Sequence, residues 1–297
     1  MATTNSSLSS VSIISDFKEI TKMRLSVSVV FSAIAGYLLG ADTIEWDIVV
    51  LLAFGGYFMV GASNMYNQII ERDLDALMDR TKNRPVPAGR ISVNSAFTMA
   101  VIFTILGIAT LYVINPRTAM YGAISIFLYT SIYTPLKTKT PLSVFAGAIP
   151  GAIPFMLGWV AARNAFGIEP GTLFAVQFFW QFPHFWAIGW FLYDDYEKGG
   201  FFMLPTGKRD KGTATQIIIY SVWTVLVSIV PVFGITGDLK LSVVAAVIVF
   251  ALGMVMVYYA LQLFKNRTAQ AAKQLMYASV IYITLLQIVY VADKFIR

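Results

Sequence analysis

Along this chain, apolar runs of sixteen to twenty-five residues alternate with short polar segments, and apart from Asp47 every charged residue falls in the polar segments. A hydrocarbon core about 30 Å thick is crossed by about 20 mostly apolar residues in helix. The pattern therefore predicts nine membrane-crossing helices, at roughly 25–40, 46–70, 93–114, 118–134, 143–162, 172–193, 214–235, 241–264 and 274–292. The expected fold class is all-α, a polytopic bundle of nine transmembrane helices. Residues 1–24 are expected as a cytoplasmic N-terminal segment and 25–297 as a single domain, since no linker interrupts the alternation.

Composition narrows the reading. Of the 297 residues, 57% are hydrophobic and 13% charged, about half the usual charged share, and mean hydropathy is +0.69. Too few ionic groups remain to cover a water-facing surface, which excludes a soluble single-core globule, a coiled coil and a disordered chain. The absence of cysteine removes disulfides, thiolate zinc sites and iron–sulfur clusters. Any metal must rest on oxygen or on the one imidazole, His184.

Lysine and arginine near span ends accumulate on the cytoplasmic side. Counting alternate polar segments from the N-terminus places 17 of the 22 basic residues on one face and leaves Arg117, Arg163, Lys240, Lys294 and Arg297 on the other. This predicts a cytoplasmic N-terminus and a C-terminus outside. The net charge of +6 is thus topology and contact with the lipid bilayer, and no nucleic acid partner is implied. Residues 1–15 are Ser- and Thr-rich without a positive charge, which reads as neither a removable signal peptide nor an Arg-rich leader and favours a bacterial inner (plasma) membrane.

The second span ends in SNMYNQIIERDLDALMDRTKNRPVPAGR. Asn67, Glu71 and Asp75 stand at four-residue intervals, nearly one helical turn, and so share a face, with Asp79 rotated beyond it. Oxygen donors in such a row suit Mg2+, which binds through one or two carboxylates plus phosphate oxygens and water. Arg80, Lys82 and Arg84 follow at once, and fixed cations beside metal-bearing carboxylates make a cradle for diphosphate. The competing reading is a helix that turns polar as it leaves the bilayer. That reading does not explain Asn64, Asn67 and Gln68, amides inside the apolar run that must face protein or a cavity.

Other signals are weaker. Tyr133 and Lys137 stand four apart after the fourth span, with Pro135 between them arguing against a regular helix. After the sixth span, YDDYEKGGFFMLPTGKRDKG brings Asp194 and Asp195 close to Lys208, Arg209 and Lys211, which mirrors the first cradle and suggests a weak internal repeat. The sixth span itself carries ten aromatics in 22 residues, where the chain's 14% would give about three. They suit a flat-walled apolar pocket, an interhelical packing layer or a lipid-facing belt. Pro183 there is expected to remove one backbone donor and kink the span, and Pro150 and Pro154 in the fifth span to break its hydrogen-bond ladder. Gly147 and Gly151 have the spacing that lets helices approach closely.

These residues resemble the UbiA-type intramembrane prenyltransferase superfamily, whose first signature is N-x-x-x-D-x-x-x-D followed by R-T-x-x-R-P. Asn67, Glu71 and Asp75 fall on the signature positions, RTKNRP follows, and Tyr133 with Lys137 match a Y-x-x-x-K motif. The resemblance covers nearly the whole chain. Two strings, YTPLKTKTPLSVFAGAIPGAIPFMLGW and QFPHFWAIGWFLYDDYEKGGFFMLP, are similar to the branch of the superfamily that farnesylates heme. Glu71 stands where Asp is commoner, and the second signature, D-x-x-x-D, is incomplete, because Gly199 follows Asp195 and Lys198 follows Asp194 at the fourth position.

The resemblance implies a nine-helix bundle around a central cavity. It implies transfer of a farnesyl group from farnesyl diphosphate to a vinyl group of heme b, with addition of water, giving heme o and diphosphate. It implies Mg2+ on Glu71 and Asp75, catalytic roles for Asn67, Glu71, Asp75, Tyr133 and Lys137, and substrate binding by Arg80, Lys82, Arg84, Asp194, Asp195 and His184. His184 is read as an axial heme ligand, a proton acceptor or a hydrogen-bonded structural residue. Handover of product to a heme a synthase or terminal oxidase is a further expectation. The alternatives are prenylation of a quinone or chlorophyll precursor, or a secondary transporter. A transporter would cluster its polar groups at the bilayer midplane, whereas these follow about 36 Å of helix at 1.5 Å per residue.

Overall fold

The computed structural model describes residues 12–297, and these are helical with no strand among them. The Ser- and Thr-rich start of the chain, with the reading that it holds no leader, lies outside the described residues up to residue 11. The elements are α1 (Ile13–Ile20), α2 (Met23–Gly40), α3 (Trp46–Ile70), α4 (Arg72–Asp75), α5 (Val93–Ile114) and α6 (Pro116–Phe127). A π-helical turn (Leu128–Tyr133) leads into α7 (Thr134–Leu136). There follow α8 (Ser143–Arg163), α9 (Ile168–Phe191), α10 (Tyr193–Lys198), α11 (Lys211–Ile229), a 3-10 turn (Val230–Phe233), α12 (Val243–Asn266) and α13 (Ala269–Ile296).

Hydropathy alone misplaces several helix starts, because the caps lie in the polar segments. Asn115 accepts from Thr118 N at 2.8 Å, Asp210 from Thr213 N at 2.8 Å and Thr268 from Ala271 N at 3.2 Å. Each side chain satisfies a donor that the first turn leaves open. The helices consequently begin two to five residues before the apolar runs expected at 118, 214 and 274.

Among the described residues, seven helices are long and apolar enough to cross a membrane: α2, α3, α5, α8, α11 with its 3-10 extension, α12 and α13. The expected fourth span is helical but divided into α, π and α pieces. The expected sixth is the 24-residue α9, whose Gln, His and Trp residues dilute its hydropathy. The prolines do not end their helices: Pro150 and Pro154 lie inside α8 and Pro183 inside α9, each leaving one carbonyl without its helical donor. Packing on both sides holds these helices, and Ser125 Oγ donates to the Pro150 carbonyl at 3.2 Å.

Most long helices pack on their neighbours in sequence, and α13 closes back on α2. Three apolar clusters fill the bundle. The first joins α9, α11, α12 and α13 to parts of α2 and α8, the second lies on α2, α3, α5, α6 and α8, and a small third joins the end of α1 to α3 and α5. The tightest crossing is α2 on α8. A β-carbon on Gly36 would strike the Phe155 carbonyl, and one on Gly158 would strike the Ala33 carbonyl. Both obstacles are backbone, so neither can rotate away. Gly147 and Gly151, expected to admit a neighbouring helix, instead admit side chains, the Tyr133 ring and the Gln181 amide.

Gly158→Ala should therefore lower the stability of the bundle by about 1–3 kcal/mol or more through overpacking. Thermal unfolding in detergent checks this. Gly171→Ala, with open space around the new methyl, is the control expected to change little.

Candidate functional site

The site forms where α3 runs out. Helix α3 ends at Ile70, Glu71 leaves helical geometry at φ −96° and ψ 7°, and α4 resumes. The four-residue register passes through this joint. Glu71 N donates to the Asn67 carbonyl at 2.9 Å and Asp75 N to the Glu71 carbonyl at 2.7 Å. Asn67, Glu71 and Asp75 thus stay on one face, and all three are buried. Arg72 and Asp73 pair with each other on the exposed side.

Two cations, the buried Lys137 and the partly buried Arg84, meet the two carboxylates. Arg84 Nη1 lies 2.8 Å from Asp75 Oδ2, and Lys137 Nζ lies 2.5 Å from Glu71 Oε1. Arg84 is returned to the site by a tight loop in which Thr81 Oγ1 donates to the Asp75 carbonyl at 2.9 Å. Lys137 arrives from the other direction. The π-helical turn ends at Tyr133, Pro135 sits in the first turn of α7, and Lys137 caps it with its ammonium 4.8 Å above the Tyr133 ring and 5.4 Å from Phe201. Asn67 Nδ2 reaches Thr134 Oγ1 at 3.4 Å, tying α3 to the same turn.

The amides that pointed inward from α3 divide by role. Asn64 Nδ2 donates to the Val60 carbonyl at 3.0 Å and reaches the Thr21 carbonyl at 3.5 Å, and Gln68 Nε2 reaches the Ile20 carbonyl at 3.4 Å. They hold the break between α1 and α2. There Lys22 takes the left-handed conformation, φ 45° and ψ 55°. Lys22 is a residue that sequence reasoning counted only as a membrane anchor. Its pKa is lowered to about 7, chiefly by burial and then by the charges of Arg84 and Lys137, with Glu71 acting the other way. Arg84 and Lys137 match the two carboxylates one to one, and Lys22 is a third basic group beside them that can take up a proton near neutral pH.

Other candidates do not join this group. Asp195 accepts the backbone N–H of Asp79 at 2.7 Å and of Arg80 at 3.3 Å, so it anchors the loop. Asp194 pairs with Arg209, Lys198 with Asp79, and Lys82 with Asp79 at 2.7 Å, all on the surface. The Lys198 and Lys82 hydrogen bonds pull the exposed Asp79 carboxyl down to about 2. Arg80 lies 5.5 Å over the Tyr196 ring. His184 sits deeper in α9, with Nδ1 2.9 Å from Ser279 Oγ.

Buried Asp75 Oδ1 has no hydrogen-bond partner, and the close ammonium of Lys137 lies off the hydrogen-bonding direction of Glu71 Oε1. Both oxygens keep lone pairs to offer. Among the described residues no group of three or more His, Cys, Asp or Glu is gathered closely enough to cage a metal ion. The donor set fits a divalent cation that takes two carboxylates here and completes its shell with phosphate oxygens and water. The surrounding cations fit the same polyanion.

The UbiA prenyltransferase family model matches residues 29–285. A protoheme IX farnesyltransferase of Christiangramia forsetii is 75% identical over 288 residues, spanning 97% of this chain and 96% of that protein. Among solved structures, a digeranylgeranylglyceryl phosphate synthase superposes with a TM-score of 0.76 at 19% identity, over 94% of this chain and 98% of that one. A UbiA homolog from Archaeoglobus fulgidus bound to GPP and Mg2+ superposes at 0.66 and 16% identity, over 93% and 99% of the two chains.

Two outcomes are expected. In the free protein Lys22 is largely neutral above pH 7, and an anion docked beside it raises its pKa toward the ordinary 10.5. Binding of inorganic diphosphate with Mg2+ at pH 8 should then be accompanied by proton uptake. Calorimetry in buffers of different ionisation enthalpy measures it, and Lys22→Met should abolish the Lys22 share. Secondly, Glu71→Gln and Asp75→Asn should each lower turnover at least about 100-fold, by the scale of losing one charge-stabilising group. The unfolding profile in detergent reports whether each variant still folds.

Proposed function

This chain belongs to the UbiA prenyltransferase family, and we propose that within it the protein transfers a farnesyl group from farnesyl diphosphate to a vinyl group of heme b, with addition of water, giving heme o and diphosphate. The observation that carries the reading is the 75% identity, over nearly the full length of both chains, to a relative named protoheme IX farnesyltransferase. The buried carboxylate pair, with Arg84 and Lys137 against it and Lys22 beside it able to gain a proton, supports the diphosphate end of the reaction.

In this reading Glu71 and Asp75, with the Asn67 amide beside them, hold Mg2+, which when bound offsets the charge of the departing diphosphate. Arg84, Lys137 and Lys22 orient the diphosphate oxygens and hold the charge that builds as the C–O bond breaks. Their charges act strongly because protein and lipid exclude water. Arg80 lies at the outer edge of the cradle and Lys82 farther out, steering the polyanion inward. The Tyr133 face lies against the Lys137 ammonium, and such a face also stabilises a passing allylic cation by about 0.5–2 kcal/mol. The cation is then attacked by the terminal vinyl carbon of the acceptor, and water adds to the carbon that becomes electron-deficient, giving up one proton to solvent or to the released diphosphate.

Asp194 and Asp195 act in this scheme through the loop. With Asp195 committed to the amides of residues 79 and 80, the second acidic segment positions Arg80 and leaves the metal to the first. The finer architecture of the proposal is nine spans around a central cavity that receives the farnesyl tail. It adds an N-terminus in the cytoplasm, a C-terminus outside and a bacterial inner membrane. Product then passes to a heme a synthase or terminal oxidase.

Incubation of the purified protein with heme b, farnesyl diphosphate and Mg2+, followed by mass analysis of the porphyrin, tests the reading. The expected product carries one farnesyl group and one hydroxyl, and in 18O-labelled water the hydroxyl should carry the label. A porphyrin recovered unchanged, with a quinone precursor prenylated instead, would sink it.

A further inference from the structure

Arg90 stands at the end of the loop that follows α4, just before Ser92 caps α5. All three nitrogens of its guanidinium are engaged. Nε and Nη2 reach Asp16 Oδ1 of α1 at 2.9 and 2.8 Å, and Nη2 also lies 3.3 Å from Glu19 Oε2. Nη1 donates to the Asn83 carbonyl at 2.8 Å. The planar fork of arginine makes this three-way joint, which the point charge of a lysine does not reproduce. Asp16 is buried, so its carboxylate depends on that partner.

The joint ties together two segments that each lead into a basic group of the carboxylate site. Asn83 directly precedes Arg84, whose guanidinium meets Asp75. Downstream of Asp16, where α1 gives way to α2, stands Lys22 in its left-handed conformation. Apolar packing alone gives α1 little purchase. Ile13 and Ile14 are exposed, Phe17 meets Phe103 edge-on at 6.2 Å, and Ile20 is the one apolar side chain of α1 that is buried. An eight-residue helix does not hold itself in water. Ile20 shares its cluster with Val86 of the Arg84 loop, so the ionic joint and the apolar contact fasten the same two segments. The other end of that loop is held by Asp195 at the amides of residues 79 and 80.

We propose that Arg90 is a positioning residue for prenyl diphosphate binding, and that by joining Asp16 to the Asn83 carbonyl it fixes where Lys22 and Arg84 stand relative to the carboxylates. The inference rests on the diphosphate reading of the site given above. The contacts of Arg90 are with α1 and the loop, so it acts through those two basic residues. Charge-assisted hydrogen bonds suit the task because they are short and directional. Cations stabilise a departing anion most when they are already in place before the charge develops.

Inorganic diphosphate with Mg2+, titrated calorimetrically into the full chain in detergent, tests this beside steady-state kinetics with farnesyl diphosphate and heme b. Arg90→Lys keeps the charge and loses the fork, and Asp16→Ala opens the joint from the other side. Each should weaken diphosphate binding about 10-fold, the scale of one hydrogen bond to a charged group. Each should also raise KM for farnesyl diphosphate and leave KM for heme b unchanged. The double variant should bind no more weakly than the worse single one, because both changes open one joint. A joint that served stability alone would lower the unfolding temperature and leave folded protein with wild-type diphosphate affinity. That result overturns the proposal, as does additive weakening in the double variant. If the wild type binds diphosphate and both single variants match it, the joint is wrong and the reading of the site stands. A wild type that binds no diphosphate overturns both.

Discussion

Two carboxylates buried at the end of an apolar helix are the constraint around which the rest of this molecule is arranged. Removing an ion from water costs several kcal/mol even after relaxation, and Glu71 and Asp75 are both almost fully enclosed. Each must find an opposite charge. The two that answer come from separate stretches of chain, Arg84 from the loop after α4 and Lys137 from the end of α7. The α3 joint, the loop that follows it and the irregular fourth segment are thereby required to meet. Lys22 approaches the same enclosure as a third basic group, and burial there holds its pKa down to about 7.

The same end of the bundle is closed by a second set of contacts of a different kind. Asp195 takes two backbone N–H groups from residues 79 and 80, and Lys198 reaches Asp79. These contacts join the loop after α4 to α10, and so join the helix clusters built on α2–α8 and α9–α13. They lie largely in water, where ion pairs contribute little to stability. Their effect is geometric, since they hold Arg80 and the chain leading to Arg84 over the carboxylates.

Deeper in the bundle, polarity is spent on joining helices. Gln287 Nε2 of α13 contacts Ser32 Oγ of α2 at 3.0 Å and Gln177 Oε1 of α9 at 3.2 Å. Between helices in lipid, where there is little hydrophobic driving force, such hydrogen bonds and close glycine contacts carry the packing. The π-helical turn belongs to the same economy of position. Its wider turn advances the chain so that Tyr133 fits over Gly147 and Lys137 comes within reach of Glu71.

Much of this was legible in the order of residues. Hydropathy located the long helices, because a span must be apolar wherever it meets lipid, and the ends of α3 and α5 agree with the pattern to the residue. The spacing of Asn67, Glu71 and Asp75 put them on one face because helical periodicity is local. Other features had no local signature. Lys22 reads as any lysine beside a membrane span, and its place near Glu71, Arg84 and Lys137 appears only when α3 grips the turn that presents it. Asp195 resembles a metal ligand until the amides of residues 79 and 80 are found against it. Proline marks where α8 and α9 lose a backbone donor, but not that both helices run on through it. The sequence by itself determined which residues are buried in lipid and which charges are available, since both follow from composition over short windows. Only the tertiary structure decided which charge faces which, because a pairing depends on where the chain brings the partners, whether nine positions apart as for Asp75 and Arg84 or 119 apart as for Asp79 and Lys198, and its energy weakens as their distance grows.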